Sequence, residues 1–513
     1  MEFTFSTLFF RLIEYSIGIL AAIIATNALW QQIPRKKSEP PLVFHLIPFI
    51  GNAVSYGTDP VRFYEACRAK HGDIFTFILF GRKMTVCLGT DGNELILNGK
   101  LQDVNAEEIY SPLTTPVFGK DIIYDCPNSK LMEQKKFVKF GLTQAALESY
   151  VPLIEQEVSK YLKSELKRTS GRLNVSTAMS EITLFTASRA LQGAEVRRKL
   201  SAEFAEYYHD LDMGFQPINF LVPWAPLPHN RRRDAAREKM CAVYMDIIRG
   251  RRIAQAAGKD QSEHDMISHL LSCAYKNGRP VPDQEVADMM ITLLMGGQHS
   301  SSSASAWIML RLASRPDILE EVYQEQLQHL GPDASGSLEY ADLEGLPFLN
   351  NVVKETLRVH SSIHSIMRKV KNPIAVPGTD YVVTTDKVLV ASPIMAHLNQ
   401  KYFPNADAWD PHRWDSRSGA EEEEEEGDMV DYGYGATNKG TRSPYLPFGA
   451  GRHRCIGEKF AYVNLVTIVL TMVRKLKLST TDGKSEVPPT DYSSLFSRPP
   501  LTTEICWELR DSE

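Results

Sequence analysis

One short stretch near the C-terminus constrains the chain more than any other. Residues 444–461, PYLPFGAGRHRCIGEKFA, join a glycine-rich loop to a long apolar helical run and place one cysteine, Cys455, at the junction. Free N–H groups at a helix start and the positive end of its dipole stabilise anionic sulfur, so the position favours a thiolate. Gly449, Gly451 and Gly457 leave room for the backbone to approach a flat ligand closely. Phe448 stands where a ring could shield the sulfur from water. A lone cysteine is usually a small buried apolar residue, and that reading suits the other six, at 67, 87, 126, 241, 273 and 506. Seven is an odd number, the spacing is wide and the chain is far too long to need disulfide staples. The catalytic part is therefore expected in a reducing compartment. No zinc-type Cys-x-x-Cys or Cys/His spacing occurs, so a metal must be held by one cysteine or by a cofactor.

The N-terminus sets the second constraint. Residues 12–30, LIEYSIGILAAIIATNALW, are mostly apolar, and about 20 such residues at 1.5 Å rise nearly cross a hydrocarbon core. A cleaved signal peptide would carry a basic start and a shorter apolar core, whereas here Glu2 and Glu14 offset Arg11. Arg35, Lys36 and Lys37 follow directly and place the C-terminal side in the cytosol. Residues 1–33 are thus expected to form a single membrane anchor, and the proline-bearing 34–50 a stiff linker. Residues 51–513 are expected to form the catalytic domain. Across all 513 residues, 57 basic against 63 acidic side chains give no positive field of the kind that draws a protein onto nucleic acid.

Beyond the linker the pattern is mainly helical with a small β-sheet subdomain. Helical periods run from Val151, Glu285, Phe348 and Phe460. Residues 74–89, rich in β-branched and aromatic side chains about Gly81, read as a hairpin, and 381–392 as a second one turning at Thr385 and Asp386. Six glutamates at 421–426 and a glycine-rich tract to Gly440 read as a solvated surface insert that buries no core.

The 296–307 segment, GGQHSSSSASAW, sits inside a helical period that starts after Pro282. Two adjacent glycines within a helix cost roughly 1 kcal/mol each relative to alanine. Close approach of a ligand is one reason to keep Gly296 and Gly297. A serine after them can bond back to a backbone carbonyl and open a notch in the helix.

The Cys455 run resembles the cytochrome P450 haem-binding loop, Phe-x-x-Gly-x-Arg-x-Cys-x-Gly. Phe448, Gly451, Cys455 and Gly457 fill its positions, and His453 takes the arginine slot. That histidine looks like the sterol demethylases, where it can donate to a haem propionate. Residues 296–300 resemble the superfamily's oxygen-binding motif, with His299 replacing the acid and Ser300 the threonine. The Gly-Gln-His pattern narrows the resemblance to the sterol 14-alpha demethylases of fungi. Serine keeps the hydroxyl there but loses the methyl that restricts its rotamer.

On that resemblance the fold is the cytochrome P450 fold and the cofactor is haem b, iron protoporphyrin IX, with Cys455 as the metal ligand. A thiolate ligand pushes electron density onto iron and favours O–O cleavage. Tyr110, Tyr124, Lys135 and Arg368 would bond haem propionates, and His299 with Ser300 would manage protons. Phe118, Phe215, Leu495 and Phe496 would line the sterol channel. Glu355 and Arg358, with Arg413, resemble the buried Glu-x-x-Arg network, which is structural. The apolar 219–228 run, followed by Arg231, Arg232 and Arg233, suits contact with a bilayer.

The resemblance further implies removal of the 14-alpha methyl of lanosterol or eburicol in three oxidations during ergosterol biosynthesis. It implies O2 as co-substrate, azole inhibitors as ligands and a single-pass location in the endoplasmic reticulum membrane. No G-x-G-x-x-G motif is present, so electrons would come from NADPH-cytochrome P450 reductase. The chain departs from the family at Ser361 and Ser362, usually two prolines, and in PPLTTEICWEL after Arg498. Hydroxylation of another sterol or lipid by a divergent paralogue, and low-turnover sequestration of sterols or azoles, are therefore the rival readings.

Overall fold

The structure is a computed structural model, which describes residues 2–165, 167–199, 202–258, 265–331, 337–415, 429–438 and 440–510. They divide into two compact units, Met1–Ala106 with Ser365–Ala396, and Glu107–His364 with His397–Glu513.

The first unit begins with the helix Glu2–Trp30. Within it Phe9–Trp30 is long and apolar enough to cross a membrane, with mean hydropathy 1.7 and none of it buried in the protein. The helix end is clamped to the chain that follows. Asn27 Nδ2 donates to the carbonyls of His45 (2.9 Å) and Leu46 (3.1 Å), and Gln31 both donates to and accepts from the His45 backbone. Residues 41–43 then run beside Thr76, exchanging backbone hydrogen bonds of 2.7 and 2.8 Å.

The five-stranded sheet has the order Ile74–Leu79, Arg82–Cys87, Lys387–Ala391, Ile366–Val370, Val104–Asn105. The hairpin expected about Gly81 is present, with Leu79 opposite Arg82. Phe80 and Gly81 both take positive φ, 49° and 76°, as the tight turn between twisted strands requires. The second expected hairpin does not form. Val382–Val383 pairs instead with Ile374–Ala375, while Lys387–Ala391 lies parallel to Arg82–Cys87 and antiparallel to Ile366–Val370. All five residues of Lys387–Ala391 are buried, and a strand buried on both faces is held by a neighbour on each edge rather than by its own turn.

In the second unit the four expected helices appear as Gln144–Glu165, Asp283–Ser314, Pro347–Val359 and Glu458–Lys475. Asp283–Ser314 is the central helix. It is apolar on most sides over its second half, so other helices must cover it all round. Trp307, Ile308 and Leu312 join Ile468 and Leu470 of the helix that follows the cysteine in one core cluster. The N-terminal half, from Val286 to Met295, packs in a second cluster with Val117, Phe215 and Tyr244. A three-stranded sheet sets Glu504–Leu509 between Leu476–Thr480 and Ser170–Asn174.

The acidic run 421–426 lies outside the described residues, but its glycine-rich sequel is not a merely solvated insert. Met429–Asp431 and Ala436–Asn438 pair as a hairpin. Gly433 and Gly435, at φ 110° and 101°, turn the chain so that Tyr434 is buried against Cys126, Leu131 and Met132.

Candidate active site

Gly449 and Gly451 adopt φ of 68° and 67°, so the cysteine loop needs glycine there for its own conformation, apart from any ligand. Gly457 differs: its φ is −88°, and a Cβ there would lie 3.8 Å from the Cys455 sulfur. The loop closes with the Cys455 N–H donating to the Phe448 carbonyl at 3.0 Å. The Phe448 ring itself packs on Tyr462, 5.5 Å between centroids.

Cys455 is one of seven free cysteines, the one with an exposed surface. Desolvation by the surrounding protein pushes its pKa up. The Gly457 N–H, Lys135 and Arg454 pull the other way, and Glu458 adds to the rise. The N–H and cation contributions at this helix start thus act in the direction that favours a thiolate, against desolvation.

Four of the expected cofactor residues meet at this loop. The Tyr110 and Tyr124 rings meet at 5.1 Å with 33° between planes, and the Tyr124 ring lies 5.8 Å from His453. Lys135 Nζ donates to the Arg452 and Arg454 carbonyls at 2.9 and 3.1 Å, and lies 4.7 Å from the Tyr434 ring centroid. That strapping of the loop from the helix Asn128–Val138 has no signal in the local sequence. Arg368 lies in the first unit, buried on Ile366–Val370, with Nη1 donating to the Met367 carbonyl.

On the central helix packing against the rest of the protein requires neither glycine. A Cβ at Gly297 would make ordinary van der Waals contact with Leu191 and Ala187, at 3.4 and 3.7 Å. A Cβ at Gly296 would meet no atom within 4 Å. Ser300 Oγ bonds back to the Gly296 carbonyl, but at 3.4 Å the bond is long. Ser302 and Ser303 hold more firmly, to the His299 carbonyl (3.0 Å) and to the Ser497 carbonyl (2.7 Å).

His299 is the centre of an aromatic cluster. Its ring stacks on Phe496 at 5.1 Å with 3° between planes, and meets Phe215 edge-on at 6.1 Å. Phe215 in turn contacts Phe118 at 5.6 Å and Phe496 at 5.7 Å, while Leu495 packs against the same core. The sequence reading thus finds these residues but misses their charged partner, Asp212, whose Oδ1 lies 2.9 Å from His299 Nε2. Burial pushes the Asp212 carboxyl up, but the charge and hydrogen bonding of His299, with Arg498 and His209, hold it below the ordinary carboxylate range.

Glu355 and Arg358 are fully buried and joined by two 2.8 Å hydrogen bonds. Glu355 also accepts from Arg413 Nε, Trp414 Nε1 and the Asp410 N–H, and Arg358 donates to the carbonyls of His397, Ala406 and Ala408. Every hydrogen-bonding position of the pair is used, so the network ties one helix to the loops before the cysteine.

An accessible cysteine in a glycine loop, with a lysine, a histidine and two tyrosines beside it, fits a flat anionic cofactor that carries iron. The cytochrome P450 family pattern matches residues 40–507. The chain belongs to the cytochrome P450 family. Sterol 14-alpha demethylase CYP51A of Gibberella zeae is 64% identical to this P450 over 508 residues, covering 98% of this chain and 99% of its own. Sterol 14-alpha demethylase cyp51A of Aspergillus fumigatus is 62% identical, covering 96% and 97%. The eburicol 14-alpha-demethylase of Penicillium italicum is 57% identical, covering 97% of each. Among solved structures, a retinoic acid bound cyanobacterial CYP120A1 superposes with a TM-score of 0.75 over 93% of this P450 and 100% of that chain, at 19% identity, which speaks to the fold. Family membership makes this P450 a haem-thiolate protein that works with O2 and a redox partner.

Proposed function

We propose that this P450 removes the 14-alpha methyl group of lanosterol or eburicol in three successive oxidations, ending in loss of formic acid. The observation that carries the reading is the convergence of Phe118, Phe215 and Phe496 on the His299–Asp212 pair, in a chain similar along its length to sterol demethylases. An apolar aromatic wall suits a flat sterol, and a partly buried acid–base pair beside it suits proton delivery.

In this reading Cys455 would hold the iron of haem b, and Tyr110, Tyr124, Lys135 and His453 would bond its propionates. When bound, that group supplies activation of O2 for insertion into a C–H bond. The protein's own part is to bind, orient and protonate. Lys135 fixes the cysteine loop through two carbonyls, which sets the direction of the sulfur. Phe118, Phe215, Leu495 and Phe496 hold the sterol and exclude water. His299, with Nε2 2.9 Å from Asp212 Oδ1, and the Ser300 hydroxyl, weakly tied to Gly296, are placed to relay protons.

Electrons come from NADPH-cytochrome P450 reductase. The helix Phe9–Trp30 anchors the protein in the endoplasmic reticulum membrane with the catalytic part in the cytosol. Azoles bind through a ring nitrogen, a suitable ligand for iron. Reconstitution with reductase, NADPH and eburicol in lipid tests the function: 14-demethylated sterol and formate are expected. A haem-loaded enzyme that yields only a hydroxylated sterol, or no product at all, would overturn it.

A further inference from the structure

The turn that carries Tyr124 holds a residue where its backbone should not put it. Ile123 has φ of 50°, the left-handed region, which a β-branched side chain adopts only when its surroundings impose it. Asp121, at φ 64°, tolerates the same region more easily, and its N–H donates to the Asp125 carboxylate at 2.9 Å. Nothing in the turn itself compensates Ile123.

The compensation comes from the next helix. Gln134 is buried, and all of its hydrogen-bonding capacity points into the turn or its support. Its Oε1 accepts the Ile123 N–H at 3.1 Å and lies 3.8 Å from the Cys126 sulfur. Its Nε2 donates to the Asp121 carbonyl at 2.9 Å and to the Tyr275 hydroxyl at 3.2 Å. Tyr275 in turn donates to Glu285 in the first turn of the central helix. One amide side chain therefore pins both left-handed residues and braces them against the central helix. The next residue along is Tyr124, aimed at Tyr110 and His453.

We propose that Gln134 is a positioning residue: it imposes the strained turn at Ile123 and thereby aims Tyr124 at the cofactor edge. The inference rests on the reading that Tyr124 contacts the cofactor. It predicts that the need for Gln134 disappears once the strain does. Glycine adopts φ near 50° freely, so Ile123→Gly is the relieving change.

The measurement is the rate of haem transfer from the purified holoenzyme to excess apomyoglobin, with no turnover involved. Gln134→Met, close in shape and without the amide, should lose haem about 10-fold faster. Tyr124→Phe should do the same, and adding Gln134→Met to it should change the rate by less than about twofold, because the residue acts through Tyr124. Ile123→Gly/Gln134→Met should return to within about twofold of Ile123→Gly alone.

A purely structural role for Gln134 would give additive losses in both combinations, and that result overturns the inference. Should Gln134→Met not accumulate, the two Ile123→Gly proteins carry the same comparison, and a double variant that also fails to accumulate counts against it. If Tyr124→Phe speeds haem loss and Gln134→Met does not, the positioning role alone falls. If Tyr124→Phe changes nothing, the contact of Tyr124 with the cofactor falls, and the positioning role with it.

Discussion

His299 Nε2 lies 2.9 Å from Asp212 Oδ1, and the His299 ring is stacked on Phe496 with 3° between the planes. A single histidine thus touches both the apolar wall and a partly buried carboxylate beside it, so substrate contact and proton supply share a side chain. Asp212→Asn should keep haem content and sterol binding. It should lower product formed per NADPH consumed by about 10-fold, less than the roughly 100-fold at which the contribution of a positioned acid or base begins, because Asp212 acts through His299. Full coupling in Asp212→Asn would leave the carboxylate a packing residue.

Ser300 is the next group along that route. Its bond to the Gly296 carbonyl is 3.4 Å long, whereas Ser302 and Ser303 are held at 3.0 and 2.7 Å, so Ser300 alone of these three is loosely tethered. Ser300→Ala should retain the ferrous carbon monoxide spectrum and sterol affinity while diverting electrons to peroxide. Ser300→Thr should match or exceed wild-type coupling, because the added methyl stiffens the rotamer. A hydroxyl that only caps a carbonyl would change stability by about 1 kcal/mol and coupling hardly at all. Product, NADPH and peroxide measured together decide between the two.

Local spacing made much of this legible. The Cys455 loop, the glycine and serine run on the central helix and the Glu355–Arg358 pair each lie within a few residues, and the last of these is built as its spacing implied, as a fully buried ion pair. What stayed hidden depends on long-range partners. Asp212 has no pattern around it and meets His299 only because two helices pack together. The 381–392 stretch reads as a hairpin by composition, but its buried strand is claimed by two other strands. Ile123 looks like any apolar residue; only its φ exposes the strain. A helix start shows in the sequence, whereas the desolvation that raises the Cys455 pKa comes from residues packed around the sulfur and does not.

Asp288 offers a pH-dependent test of the central helix. Burial pushes its carboxyl up to about 6, against the pull of Arg237, whose Nη2 lies 2.6 Å away, and of Gln284, while Glu285 adds to the rise. A carboxyl with a raised folded pKa favours the folded state most when protonated. Its contribution is complete below the ordinary value of about 4 and is lost as pH rises toward about 6. Wild type should therefore lose about 2–3 kcal/mol relative to Asp288→Asn between pH 4 and 6.5, two pKa units at about 1.4 kcal/mol each. Melting curves of both proteins across that range provide the measurement, and parallel curves would rule the shift out.

The last prediction concerns attachment to the membrane. The helix Phe9–Trp30 is long and apolar enough to cross a membrane, but among the described residues it is not the sole exposed apolar surface. In the second unit Trp224 is 79% exposed and Ile218 40%, within the run that precedes Arg231, Arg232 and Arg233. In the first unit Phe44, Leu46 and Phe49 are also exposed, just beyond the point where Asn27 and Gln31 grip the chain. Each buried aromatic or leucine side chain contributes about 1.5–3 kcal/mol when removed from water, so a few inserted together give measurable but reversible binding. Nearby arginines add roughly 1 kcal/mol each at an anionic surface. Deleting residues 1–33 should therefore release the protein only partly. Flotation with phosphatidylserine vesicles should retain a fraction that falls as salt is raised, because the arginine share is screened and the apolar share is not. Trp224→Ser in the truncated protein should remove most of that fraction. Complete release by the truncation alone would assign all membrane binding to the first helix.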